Sequence, residues 1–130
     1  MITVSAKSEY GISFLAYLAK NRDRLVSLSE VAEKECISQG YLEEIAATFN
    51  KAGFLRGKKG RGGGYALSKK SKDIKISEVI SALEGPISPV KCTGTGKCFK
   101  EKICTTKKIW ISLKEKMENH LSEISLADII

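Results

Sequence analysis

Apolar residues recur every three or four positions along residues 6–21, which predicts an amphipathic first helix. The face expected to be buried carries Tyr10, Ile12, Phe14, Leu15, Leu18 and Ala19. Ser27 and Glu30 then form a capping-box pattern that begins a short second helix, and Ser38 caps a third helix that ends at Gly53. The buried positions of the third helix are expected to be Leu42, Ile45, Ala46 and Phe49. Two short helices joined by the tight 36–38 connection predict a helix-turn-helix.

A glycine-rich segment with a short apolar run on each side follows the third helix. Residues 54–56 and 65–67 are predicted to pair as strands, and the eight residues between them hold five of the chain's 11 glycines. The same segment contains Lys58, Lys59 and Arg61. A cationic hairpin directly after a helix-turn-helix is the layout of a winged helix, and glycines let its backbone approach a narrow groove. We therefore expect a DNA-contacting wing at 54–67, with a flexible surface loop as the alternative.

The second half of the chain predicts two further helices. Ser77 is expected to cap a fourth helix that ends at 84–86, and a loop continues to about residue 103. The last helix covers about 105–123, and its apolar stripe consists of Trp110, Leu113, Met117, His120 and Ile124. Such a stripe favours a partner helix, with packing on its own domain as the alternative, and recognition helices bind paired half-sites. We therefore expect a homodimer joined through this helix.

The predicted fold is mainly α with a small β-hairpin: a winged helix-turn-helix domain plus a long C-terminal dimerisation helix. The expected organisation is a DNA-binding domain at 1–84, a cysteine loop at 85–104, and the dimerisation helix with a short C-terminal segment at 105–130. The chain has 130 residues, 42% of them hydrophobic, which is enough for one modest core. The longest near-apolar stretch, 11–19, is too short to cross a bilayer. We therefore expect a cytoplasmic protein that does not contact membranes.

The positive charge of the chain is concentrated in one segment. The formal net charge is +7, yet residues 51–75 hold nine Lys or Arg and one Asp, a balance of +8 that leaves −1 for the rest. A short segment with this excess of cations is typical of a surface that meets phosphate. The alternative is a solvated face rich in lysine.

Three of the four cysteines, Cys92, Cys98 and Cys104, are separated by five residues each in a lysine-rich loop. Cytoplasmic thiols are normally reduced, which favours metal or redox chemistry over disulfides. Structural zinc sites use more closely spaced cysteines, whereas iron-sulfur clusters are held by thiolates at longer spacings. The spacing therefore favours an iron-sulfur cluster, with a metal-free reactive thiol loop as the alternative.

Three cysteines leave one coordination position to fill. His120 lies 16 residues past Cys104, roughly 20 Å along a helix, so we interpret it as a residue of the dimer helix. Cys36 precedes the recognition helix, where core packing is expected. Glu9 on the first helix either reaches the loop of a neighbouring subunit or is simply exposed.

The order of helix-turn-helix, glycine wing, three-cysteine loop and long terminal helix resembles the Rrf-type family of bacterial winged-helix regulators, in particular its iron-sulfur IscR and NsrR types. The segments that carry the resemblance are KSEYG at 7–11, ISQGYLE at 37–43, KGRGGGY at 59–65 and VI at 79–80. The resemblance covers nearly the whole chain. It implies a homodimer that binds double-stranded operator DNA and responds when an iron-sulfur cluster, of the 2Fe-2S type, is bound, lost or attacked by nitric oxide. The implied ligands are Cys92, Cys98 and Cys104, and cluster-assembly proteins are implied partners.

Departures from the family pattern refine this expectation. IscR-type proteins supply a histidine three residues after the third cysteine, where this chain has Lys107. NsrR-like relatives take a carboxylate from the first helix of the other subunit, so the resemblance implies the partner subunit's Glu9 as the fourth ligand. The family wing has an arginine before its glycine run, where this chain has Lys59, and Arg61 is expected to take the minor-groove role.

On this interpretation, helix 39–52 enters the major groove and the wing contacts the DNA backbone. The expected DNA-binding residues are Ser38, Gln39, Gly40, Tyr41, Glu43, Lys58, Lys59 and Arg61. Glu43 repels phosphate unless it accepts a hydrogen bond from cytosine, so we expect it to discriminate between bases. The alternative function is a cluster-free winged-helix regulator that acts through thiol oxidation or a protein partner. No catalytic set is visible, and an enzyme is not expected.

Overall fold

The computed structural model describes residues 3–90 and 103–130, so Cys92 and Cys98 lie outside the described residues. Its helices are α1 (Ala6–Lys20), α2 (Leu28–Glu35), α3 (Gln39–Ala52), α4 (Ile76–Glu84) and α5 (Lys107–Glu123). Strands β1 (Leu55–Lys58) and β2 (Gly64–Leu67) form an antiparallel hairpin, and short 3₁₀ turns lie at Ser71–Asp73 and Leu126–Ile129. The predicted fold, mainly helical with a small hairpin, is confirmed. In the two described ranges, no helix is long and apolar enough to cross a membrane.

Helix α1 runs through the centre of the core. Gly11 lies where α1 crosses α3 and α4, because a Cβ atom at this position would be 2.5 Å from Leu83 Cδ1 and 2.9 Å from Phe49 Cζ. One turn further on, Phe14 is fully buried and its ring stacks on that of Phe49, with the centroids 6.3 Å apart. The absence of a side chain at Gly11 therefore allows α1 to lie close against the recognition helix.

Helices α2 and α3 form the predicted helix-turn-helix. The Ser38 hydroxyl accepts a hydrogen bond from the Tyr41 N–H at 3.2 Å, and Gly53 ends α3 with φ of 86°, as predicted. The prediction that Cys36 packs in the core is wrong. Cys36 is exposed and ends α2 in the left-handed conformation, with φ of 56°. Because the backbone reverses at Cys36, the next residue, Ile37, is the one that is buried.

A polar network joins α1 to the start of α2. The Arg24 guanidinium donates to both carboxylate oxygens of Glu30, at 2.9 and 2.6 Å, and the Tyr17 hydroxyl donates at 2.5 Å. These hydrogen bonds, chiefly those from Arg24, lower the pKa of Glu30 to about 2. Only one of the two hydrogen bonds of the predicted capping box is present. The Ser27 hydroxyl accepts from the Glu30 N–H at 3.2 Å, but the Glu30 carboxylate makes stronger, charge-assisted bonds elsewhere.

The wing is larger than the two predicted strands. Pairing extends to Lys58 opposite Gly64, two residues further than expected for β1, so the connecting loop shrinks to residues 59–63. Val26 forms an isolated antiparallel bridge with β2: its N–H donates to Tyr65 O at 2.9 Å, and the Tyr65 N–H donates to Val26 O at 2.7 Å. The segment between α1 and α2 thus supports the wing.

Two glycines of the wing are required by this sheet. A Cβ atom on Gly63 would lie 2.1 Å from the carbonyl oxygen of Lys58, and one on Gly64 would lie 2.5 Å from the carbonyl oxygen of Val26. Both obstacles are backbone atoms within the hydrogen-bonded hairpin or its neighbour. Glycine at these two positions therefore serves the fold itself.

The start of α4 differs from the prediction. The helix begins at Ile76, so Ser77 lies inside the first turn and is not its N-cap. The Ser77 hydroxyl instead accepts a hydrogen bond from the Ser122 hydroxyl at 3.0 Å. This bond links α4 to the last turn of α5.

After α5, the chain returns to the winged domain. The Ile76 N–H donates to Ile124 O at 3.0 Å, and the Leu126 N–H donates to Ile74 O at 2.8 Å. Leu126 is fully buried in the core. Ile124, predicted on the apolar stripe of α5, lies just beyond the helix end because it enters this pairing. The C-terminal end of α5 is thereby fixed to α4.

Candidate nucleic-acid interface and cysteine segment

Helix α3 presents one exposed face. Its four predicted core residues are buried, which leaves Gln39, Gly40 and Glu43 exposed on the other side. Glu44 and Ala47 are exposed as well. The same helical period that predicts the core also predicts Ala47 on this face, one turn beyond Glu43, although it was not among the expected contacts. The two adjacent carboxylates make this face suited to the amino group of cytosine in a major groove.

The first turn of α3 is held from two sides. The Ser38 hydroxyl accepts the capping hydrogen bond, which leaves its O–H to donate to a phosphate. Tyr41 is half-buried and meets Tyr10 edge to face, with the ring centroids 5.5 Å apart. Tyr10, predicted on the buried face of α1, is 36% exposed because it lies at this rim of the core. The pair of rings fixes the start of α3 against α1.

The tip of the wing is cationic. Lys58, Lys59 and Arg61 are all exposed, and no Asp or Glu occurs between residues 57 and 64. Gly60 and Gly62 adopt φ of 89° and 74°, which closes the loop tightly. Three cations without a neighbouring carboxylate form a surface suited to the phosphates of a DNA backbone.

Of the three predicted cluster ligands, only Cys104 is among the described residues. It is half-buried, and its Sγ lies 3.5 Å from Thr106 Oγ1. The same hydroxyl oxygen accepts a hydrogen bond from Nε1 of Trp110, the chain's single tryptophan, at 3.3 Å. The third cysteine is therefore connected to the first turn of α5.

The candidates for the fourth ligand position are exposed. Glu9 projects from α1, and His120 lies near the end of α5. Among residues 3–90 and 103–130, no group of three or more His, Cys, Asp or Glu side chains is placed to hold a metal ion. A cluster site would therefore need the 91–102 segment.

Helix α5 has no buried residue within one chain. Ile109 is 60% exposed and Ile111 38% exposed. Trp110, Leu113 and Met117 of the predicted stripe are half-buried, and His120 is exposed. The helix thus retains apolar surface along its N-terminal half.

A helix-turn-helix with an exposed recognition face and a cationic hairpin directly behind it defines a winged-helix DNA-binding protein. The chain belongs to the Rrf2 family, whose model, described as an iron-dependent transcriptional regulator, matches residues 4–130. The transcriptional regulator IscR of Klebsiella pneumoniae is 30% identical over 98% of this chain and 78% of its own length.

Two solved structures extend this result. CymR, the global cysteine regulator of B. subtilis, has a TM-score of 0.84 and 28% identity, covering 99% of this chain and 96% of its own. IscR of T. potens has a TM-score of 0.81 and 33% identity, covering 98% of this chain and 85% of its own. The relatives are transcriptional regulators and not enzymes, as expected from the sequence. The winged-helix fold and the family resemblance are confirmed.

Proposed function

We propose that this transcriptional regulator is a homodimer whose binding to operator DNA is controlled by an iron-sulfur cluster of the 2Fe-2S type. The proposed organisation is a DNA-binding domain at 1–84, a cluster-binding loop at 85–104 and a dimerisation region at 105–130. The signal is the supply of clusters, the redox state or nitric oxide. The family includes both IscR and a global cysteine regulator, so the choice of signal rests on the residues of this chain.

The proposed DNA contacts divide between two elements. Gln39, Gly40 and Glu43 are on the exposed face of α3, where a recognition helix reads base edges. Ser38 and Tyr41 lie in its first turn, close to where the helix meets the backbone of the duplex. The wing residues Lys58, Lys59 and Arg61 contact phosphates or enter the minor groove.

Dimerisation is proposed through α5. Exposed apolar residues such as Ile109 and Ile111 are costly in water, and a second copy of the helix covers them. To test this, Ile109→Lys is compared with Ile130→Lys, which changes an exposed isoleucine outside α5. We expect sedimentation to show a dimer dissociation constant raised at least tenfold, about 1.4 kcal/mol, by the first change only. Equal effects of both changes would contradict the α5 interface.

The donor set of the chain fits an iron-sulfur cluster. Cys92, Cys98 and Cys104 supply three thiolates, and clusters commonly have four protein ligands. Glu9 supplies the fourth as a carboxylate on an exposed helix face, so the partner subunit's Glu9 completes the site of each chain. When bound, the cluster supplies a group sensitive to oxidation and to nitric oxide. A ligand shared between subunits makes that group depend on the dimer.

The observation that carries this proposal is the position of Cys104. Its thiol contacts Thr106, and Thr106 contacts Trp110, so the last thiolate ligand is connected to the helix that pairs the subunits. Ordering the 92–104 loop against α5 would shift the tilt of the two recognition helices relative to each other. The regulator therefore has two states, one that binds operator DNA and one that does not, and the loop shifts the equilibrium between them.

The test is the absorption and electron paramagnetic resonance spectra of anaerobically purified protein. We expect visible charge-transfer bands that disappear in Cys92→Ala and are weakened or shifted in Glu9→Ala. Matched controls are Cys36→Ala, an exposed cysteine outside the loop, and Glu33→Ala, an exposed carboxylate on α2; both should keep the wild-type spectrum. Fluorescence of Trp110 gives a second measurement, because a nearby cluster quenches it. A featureless spectrum after cluster reconstitution would overturn the proposal.

A cluster-free thiol regulator is the second candidate, and the position of Cys36 favours it. This cysteine is exposed in the turn directly before the recognition helix, and a structural neighbour is named a global cysteine regulator. Oxidation there would add bulk next to the capping Ser38. Colourless anaerobic protein whose DNA affinity falls on mild oxidation, with no fall in Cys36→Ala, would establish this function instead.

A further inference from the structure

A second group of cations lies at the base of the hairpin, where β2 ends. It borders a cleft of about 240 Å³ lined by Arg22, Lys69 and Lys70 together with the hydroxyl residues Ser68 and Ser71. None of the described residues that line the cleft is Asp or Glu. Three positive charges and the hydroxyl of Ser71 around one small cavity are the chemistry of an anion site. The Ser68 hydroxyl donates its proton to the Gly53 carbonyl instead.

The loop that carries these side chains is fixed to the core. The Ser68 N–H donates to Phe54 O at 2.9 Å, and the Ser68 hydroxyl donates to the carbonyl oxygen of Gly53. Lys69 Nζ lies 5.3 Å from the centre of the Phe54 ring, within the range of a cation–π contact. The Lys70 carbonyl accepts from the Asp73 N–H at 2.9 Å. Hydrogen bonds within the chain therefore hold the backbone that surrounds the cleft.

Within the described residues, no carboxylate forms an ion pair with the cations of the cleft. Across residues 3–90 and 103–130, the ion pairs are Arg24–Glu30 and Lys114–Glu118, and neither involves a cation of the cleft. Ser71 is half-buried, and its hydroxyl makes no hydrogen bond to other residues in those ranges. Like charges around one cavity repel each other, and a bound anion would offset that repulsion.

The cleft is separate from the wing tip. Strand β2 runs from Gly64 near the tip to Leu67 beside the cleft, a span of roughly 10 Å at the rise of an antiparallel strand. That distance exceeds the screening length of about 8 Å at physiological ionic strength. Phosphates held at the wing tip are therefore largely screened from these cations.

We propose that this cleft binds a phosphate group carried by a small molecule, either free phosphate or a phosphate monoester. Its volume is below the roughly 300 Å³ at which pockets for larger organic ligands begin, which points to a compact ligand. A doubly charged anion gains most from three cations placed around it. Because these side chains are exposed, affinity is in the millimolar range, as expected for a few screened ion pairs. The site is independent of the iron-sulfur cluster.

The test follows backbone amide chemical shifts of the full chain during titration with inorganic phosphate at constant ionic strength. We expect saturable shifts centred on residues 68–71. Lys70→Gln should weaken binding about threefold, in line with the loss of one exposed ion pair. Lys72→Gln is the matched control, since it removes the same charge from an exposed neighbour that does not line the cleft, and it should bind like the wild type. Shifts without saturation, or equal weakening in both variants, would overturn the proposal.

A second arm separates a small ligand from the phosphates of DNA. Binding of a 40-base-pair duplex is measured by fluorescence anisotropy for Lys70→Gln, Lys72→Gln and the wing variant Lys59→Gln. We expect Lys70→Gln to match Lys72→Gln and to affect DNA less than Lys59→Gln does. If Lys70→Gln weakens duplex binding as much as Lys59→Gln, the cleft belongs to the DNA surface and a small-molecule site is wrong.

Discussion

Replacing Gly11 with alanine should destabilise the protein, although the same substitution usually stabilises a helix. The added Cβ would lie 2.5 Å from Leu83 Cδ1 and 2.9 Å from Phe49 Cζ. Leu83 is 8% exposed and its methyl group can rotate away. Phe49 has no such freedom, because its ring is fully buried between Phe14 and Phe54, at centroid distances of 6.3 and 5.7 Å. The clash with Phe49 therefore makes the substitution destabilising.

Overpacking of this kind costs about 1–3 kcal/mol, and alanine recovers up to about 1 kcal/mol of helix propensity. We expect a net loss of about 1–2 kcal/mol, which for a chain of this size lowers Tm by roughly 4–8 °C. Gly40→Ala is the matched control, because nothing lies within 4 Å of a Cβ at that position. It should stabilise the protein by about 0.5 kcal/mol, since only the propensity changes.

The measurement is urea unfolding followed by circular dichroism, at one protein concentration because subunit association contributes to stability. Opposite signs for Gly11→Ala and Gly40→Ala would support the close crossing of α1 and α3. If Gly11→Ala stabilises the protein as much as Gly40→Ala, α1 and α3 do not cross as closely as the distances indicate, and the expected clash with Phe49 does not occur.

Three further predictions concern charge. The pKa of Glu30 is lowered from 4.5 to about 2, so its network with Arg24 stabilises the fold above pH 4.5 and is lost as the pH falls toward 2; thermal unfolding should show a smaller acid-induced drop in Tm for Glu30→Gln than for the wild type, and equal drops would contradict the network. Lys59→Gln should weaken DNA binding uniformly across sequences and reduce the slope of log affinity against log salt by about 1. In a selection from random duplexes, Glu43→Ala should relax the sequence preference, and an unchanged preference would show that Glu43 does not read bases.

Local sequence signals predicted the helices because the physics is local. Ser38 caps α3 through its own N-terminal turn, and Gly53 ends it through a φ that other residues avoid, so neighbours in sequence suffice. The helical periodicity of α3 also predicted its exposed face, and the glycine-rich turn predicted the cationic wing. Glu9, the wing cations and the α3 residues Gln39, Gly40 and Glu43 are exposed, as a surface site requires.

Long-range partners account for the differences. The Glu30 carboxylate leaves the capping box because Tyr17 on α1 and Arg24 in the connection before α2 both donate to it. The capping-box pattern alone does not indicate that competition. Val26 forms its β-bridge only because Tyr65 lies beside it. Cys36 looked like a core residue by position, but a reversal of the backbone gave that place to Ile37.

The attachment of α5 at its C-terminal end has a mechanical consequence. With residues 124–126 bonded to the segment that enters α4, the helix is an arm of about 25 Å whose far end lies three residues after Cys104. Because the helix has that length, a rotation of about 5° at its anchored end displaces the other end by ~2 Å. The converse also holds: a displacement of that size near Cys104 requires only a slight rotation at the anchored end, beside the segment that enters α4.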